Sequence, residues 1–194
     1  MGMFLSEIIV KSNKILDELI NAFSIGIGKM YNCEYSVVQE EEDFGSFEPG
    51  WFQGDRMNVL AIPLGGEWTR IIPDFVANPV DLAKNLAIEL RTPILYIQVL
   101  DSDQWKYVLY HGGREVDSYL SDPEITGEPP AYGHPKKVVS VFEVQQKEKE
   151  LADVLQKKYT FAEEGLFDFL TLIGIKCFHT DWPKGTKRYL LTAA

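Results

Sequence analysis

Cysteine is scarce in this 194-residue chain: Cys33 and Cys177 stand far apart, with no C-x-x-C pair. That excludes a disulfide scaffold and points to two reduced thiols. No apolar run reaches the roughly 20 residues that a membrane-spanning helix needs, so the sequence reads as a cytoplasmic protein without a membrane partner. The opening MGMFLSEIIVK has no basic region before its apolar stretch and no small-residue cleavage site, so it does not read as a signal peptide. Met1, Gly2 and Ser6 match the myristoylation pattern M-G-x-x-x-S, although an ordinary first strand accounts for the same letters.

The familiar chemical signatures are also missing. Gly185-Thr186-Lys187 has the wrong order for a phosphate loop and lacks the first glycine, and Gly26-Ile27-Gly28 lacks a third glycine. There is no G-x-S-x-G elbow and no H-E-x-x-H pair. No cofactor is expected. Positive charge is short as well. The net charge is −10, and residues 1–135 hold 9 basic against 21 acidic side chains. Such a surface repels phosphate backbones, which disfavours nucleic acid, and attracts a basic protein partner. Solubility alone explains the same charge.

What is present suits one domain spanning 1–194. Hydrophobic residues make up 45% and aromatics 12%, enough to build a core without disulfides or metal. Met3 to Val10 is apolar enough for a buried strand. Ile15, Leu16, Leu19, Ile20 and Phe23 form a helical stripe, with Ser12 as its cap and Gly26 as its stop. Cys33 to Gln39 reads as a short strand. Met57–Ile62 and Trp68–Ile72 read as a hairpin across Gly65-Gly66. Asn78 and Pro79 open a second helix with Leu82, Leu86 and Leu90 inward, and Pro93 ends it.

Ile94 to Leu120 is the best-marked stretch. An apolar run, the Asp101-Ser102-Asp103 turn, an alternating strand through Trp105, the Gly112-Gly113 turn and a return strand predict a three-stranded antiparallel meander. Residues 121–137, with four prolines, read as an irregular loop or a sub-boundary, and Val138 to Val144 as a further strand. Helices follow at Lys147–Lys158 and from Thr160, whose T-x-x-E spacing to Glu163 makes a capping box, with Gly174 as the stop. Ile175–His179 and Arg188–Leu191 read as closing strands. The fold class is therefore α+β: a mainly antiparallel sheet covered by about four helices.

Few residues suggest chemistry. Asp101 and Asp103 could bind a cation or divide acid and base roles, although Asp and Ser also suit turns. Trp105 is a candidate for binding beside them. His111 and Asp117 could meet across adjacent strands as a base and its orienting group, with no nucleophile identified beside them. Cys177 and His179 point the same way on a strand, but two ligands do not close a metal site, so no metal is expected. Glu40, Glu41, Glu42 and Asp43 lead into a loop with Phe44, Phe47, Trp51 and Phe52 that reads either as aromatic plugs or as a binding loop.

The run YIQVLDSDQWKYVLYHGGREVDSYLSDPE and the later FAEEGLFDFLTLIGI resemble stretches of uncharacterised bacterial proteins. The resemblance covers about a quarter of the chain, implies a bacterial cytosolic origin and brings no activity. Three functions remain open from the sequence. The first is a non-catalytic binding protein, for example of the toxin-immunity type, that meets a basic partner. The second is a small enzyme with an acid/base site in the 101–122 meander. The third is a self-associating structural protein whose partner is a second copy.

Overall fold

The structure, a computed structural model, describes residues 3, 5–40, 56–73, 76–175 and 185–193. Among the described residues, eight strands form one sheet. They are β1 (Leu5–Lys11), β2 (Tyr35–Glu40), β3 (Arg56–Gly65), β4 (Trp68–Pro73), β5 (Ile94–Leu100), β6 (Gln104–His111), β7 (Arg114–Leu120) and β8 (Lys187–Ala193). Their order across the sheet is β2-β8-β3-β4-β1-β5-β6-β7, and each neighbouring pair is antiparallel. The helices are α1 (Leu16–Tyr31), α2 (Pro79–Leu90), α3 (Pro123–Thr126), α4 (Pro135–Phe142), α5 (Glu148–Gln156) and α6 (Ala162–Leu172). The fold is the expected α+β type, with six helices among the described residues rather than about four.

Strand alternation sends side chains to two cores. On one face Ile8, Val10, Val59, Ile71, Ile94 and Tyr96 meet Leu19, Phe23 and Ile27 of α1 and Leu82 and Leu86 of α2. On the other, Ile97, Trp105, Tyr107, Leu109 and Tyr119 meet Val139 of α4, Leu155 of α5 and Phe169 of α6. The rings of Tyr107 and Phe169 stack at 4.7 Å, and Trp105 lies 4.6 Å from Tyr119. A buried pair crosses between strands on this same face: Arg70 donates to Glu7. Burial pushes the Glu7 carboxyl up, with Arg70 opposing it.

Several local expectations are corrected. The helix α1 begins at Leu16, not beside Ser12, whose hydroxyl accepts from Lys14 N at 3.0 Å. It passes through Gly26 and ends at Tyr31, with Asn32 left-handed. Gly26 faces α2: a Cβ there would lie 3.4 Å from Leu82. Close helix packing, not a stop signal, explains that glycine. Val138 to Val144 forms no strand. Pro135 suits the first position of α4, and Val138, Val139 and Phe142 share its buried side at spacings of one and four. The 121–137 segment also holds α3, and it returns to β7 through a bridge between Tyr119 and Tyr132.

Thr160 does not cap α6. Phe161 precedes that helix without a side-chain cap, and Glu163 accepts from Ser102 Oγ instead. Gly174 does end it, at φ +80°: Gly174 N bonds Thr171 O and Ile175 N bonds Leu170 O, a Schellman closure. Residues 176–184 lie outside the described residues, so the Ile175–His179 strand is not placed. Arg188–Leu191 falls within β8.

Candidate functional site

The meander presents two ends, and the candidate residues divide between them. At the first end Asp101 and Ser102 turn β5 into β6, with positive φ at both. The turn is anchored through buried Ser102. Its Oγ accepts from Met3 N at 2.7 Å and donates to Glu163 at 3.1 Å, and its carbonyl accepts from Ala162 N at 2.7 Å. Gln104 donates from its amide to the Asp122 carbonyl, which draws the exit of β7 to the same place. Asp101, Asp103, Asp122, Glu124 and Glu164 are therefore exposed at one end of the sheet. Among the described residues no lysine or arginine pairs with Asp103, Asp122, Glu124 or Glu164. Trp105, a candidate for binding, is 1% exposed and belongs to the core.

At the opposite end of β6, roughly 25 Å away at the rise of a strand, stands His111. It is exposed and borders a groove of about 600 Å³ that also touches Lys11, Lys14, Glu67, Ser140 and Glu143. Lys11 reaches Glu143 at 3.0 Å there. His111 makes no side-chain hydrogen bond among the described residues.

Asp117 lies between these ends, and its partner is not His111. Leu109 stands opposite Asp117 in the ladder, so the carboxylate turns toward α4 and α5. Asp117 Oδ1 meets His134 Nδ1 at 2.7 Å. Oδ2 accepts from the Tyr107 hydroxyl at 2.7 Å and from His134 N at 2.9 Å. Lys137 Nζ stands 3.9 Å from Oδ1. The carboxylate is 1% exposed, whereas the imidazole is 65% exposed. Burial, helped by the adjacent Asp117 charge, pushes the Tyr107 phenol well above its ordinary range, so it remains a hydrogen-bond donor.

Gly133 makes this approach possible. It sits at φ +68°, and a Cβ there would come 2.8 Å from the Tyr107 hydroxyl and 2.8 Å from Leu155. The Tyr119–Tyr132 bridge and the bond from Gly133 N to Ser118 O then hold the segment along β7. No protein-family model, no curated protein and no solved structure matches this chain.

From the sequence His134 stands only as a scattered metal-ligand candidate with Cys33 and His111; its pairing with Asp117 is not legible there, because the two lie 17 residues apart across a proline-rich stretch. The signal available was its place directly before Pro135, where a helix cap belongs. Trp51 and the acidic-aromatic loop lie outside the described residues, as do Cys177 and His179. Cys33 is a half-buried free thiol. Among the described residues no group of three or more His, Cys, Asp and Glu side chains is disposed to hold a metal ion. No described helix is long and apolar enough to cross a membrane.

Proposed function

We propose that this chain is a non-catalytic binding protein whose acidic end, around the β5–β6 turn and the exit of β7, receives a basic protein partner. One observation carries the reading: Asp103, Asp122, Glu124 and Glu164 are exposed together, with no lysine or arginine paired to them among the described residues, around a turn that Ser102 ties to the body by four bonds. Unpaired exposed carboxylates on a pre-organised turn attract a complementary positive patch and lose little conformational freedom on docking. A toxin-neutralising role is one form such binding takes, by analogy of charge alone.

The test is capture from the native cell with the tagged full chain. A near-stoichiometric basic protein should be retained at low salt and released as salt rises, because exposed charges are screened. A variant carrying Asp103→Lys, Glu124→Lys and Glu164→Lys should no longer retain it. Failure to recover a partner, or retention by the charge-reversed variant, overturns the reading. Light scattering across concentrations identifies a second copy of the chain if that is the partner.

A further inference from the structure

We propose that His134 Nε2 is a phosphoryl-accepting nucleophile, oriented by Asp117 and served by Lys136 and Lys137. The site is independent of the acidic end and stands on a different set of contacts. Asp117 accepts from Nδ1, so the ring proton sits there and the Nε2 lone pair is free. The carboxylate cannot swing away, because the Tyr107 hydroxyl and the His134 backbone N–H hold its other oxygen. A buried acceptor behind an exposed imidazole is the arrangement of an activated base or nucleophile.

The charges nearby choose the electrophile. Lys137 lies 3.9 Å from Asp117 and offsets its negative field. Lys136 is exposed and pairs with no carboxylate among the described residues. In a chain of net charge −10, two lysines that follow His134 by two and three residues at the start of α4, one of them 3.9 Å from Asp117, favour an anionic electrophile over a neutral acyl group. Because the ring is 65% exposed, the geometry suits a donor carried on a second protein: an acyl phosphate or a phosphohistidine.

The step balances without a further reactant. The Nε2 lone pair forms the N–P bond. The donor's P–O or P–N bond breaks, and its electron pair leaves with the donor carboxylate or imidazole. The ring gains a positive charge while its proton stays on Nδ1, hydrogen-bonded to the Asp117 carboxylate, which stabilises that charge. The two ammonium groups meet the phosphoryl oxygens.

The experiment treats the full chain separately with phosphoramidate, whose P–N bond breaks to release ammonia, and with diethyl pyrocarbonate, a neutral electrophile. Site-resolved mass spectrometry follows each histidine. His111, exposed and with no side-chain hydrogen bond among the described residues, is the reference inside the same molecule. His134 should react about tenfold faster than His111 with both reagents, the scale by which an orienting carboxylate alters activity. Asp117→Asn should bring its rate down to that of His111. Lys136→Gln should slow phosphorylation and leave the diethyl pyrocarbonate rate unchanged. Equal rates at His111 and His134 with both reagents overturn the dyad. Preference for His134 with diethyl pyrocarbonate alone overturns the phosphoryl assignment. If Asp117→Asn does not fold, the wild-type comparison and Lys136→Gln still decide the matter.

Discussion

Gly165 stands where an alanine methyl would come 2.6 Å from Trp105 Nε1 and 2.8 Å from the Tyr159 ring. In an open helix, alanine would be preferred over glycine by about 1 kcal/mol. Here Trp105 is held between Tyr119 and Phe169 and has little room to yield. Overpacking of this kind costs about 1–3 kcal/mol. Gly165→Ala should therefore lower the urea midpoint with an unchanged slope; a raised midpoint would show that the rings give way. Asp117 offers a second test. Tyr107→Phe removes one of its donors and should cost about 1 kcal/mol by chemical denaturation, whereas Asp117→Ala orphans three donors and should cost about 3 kcal/mol or more. Equal losses in the two variants would mean that the His134 contacts contribute nothing to stability. At this scale the sequence was half legible. Asp117 stood out as a carboxylate in an alternating strand, but it stands opposite Leu109 and its carboxylate bonds Tyr107 and His134 rather than His111. Its partner arrives through a bridge between Tyr119 and Tyr132 that local spacing does not reveal.

Elements were more legible than their contacts. The β5–β6–β7 meander and the hairpin of β3 and β4 follow from alternation and tight turns, which are local. The α4 segment misled because its valines favour strands in isolation; Pro135 and the one-and-four spacing decide for a helix once α5 and β7 supply a surface. The pair of Glu7 on β1 and Arg70 on β4 makes a prediction at this scale. Removing either partner leaves a buried charge and should cost about 3–5 kcal/mol, whereas Glu7→Leu with Arg70→Met should be neutral or stabilising. A double-mutant cycle by thermal or chemical unfolding measures it; a double variant as unstable as the sum of the singles would refute it. The sign with pH follows from burial. Glu7 holds its proton more tightly when folded than its ordinary value of 4.5 allows. Its stabilising effect is present below that value and is lost as pH rises through the raised one. The double variant should lack this dependence.

The whole molecule adds a pH response of its own. Burial pushes Tyr96, Tyr110 and Tyr119 up to about 12, and Tyr107 further, whereas free phenols ionise near about 10. The unfolded chain therefore releases protons that the fold retains, and stability should fall as pH rises above about 10. Tyrosinate absorbance and loss of the circular-dichroism signal should rise together in one transition. Tyrosinate from all these residues near pH 10, ahead of unfolding, would show that the phenols are not held by the cores. The α+β class was legible because strands cluster in runs, but the strand order was not. The pairing of β8 between β2 and β3 joins residues such as Ser36 and Thr192, 156 positions apart. During synthesis the ribosome must deliver residues 187–193 before β3 can acquire that neighbour. Until then the nascent chain carries a bare edge along Arg56 to Ala61, a surface on which a holding chaperone would find purchase and a second unfinished copy could seed a precipitate.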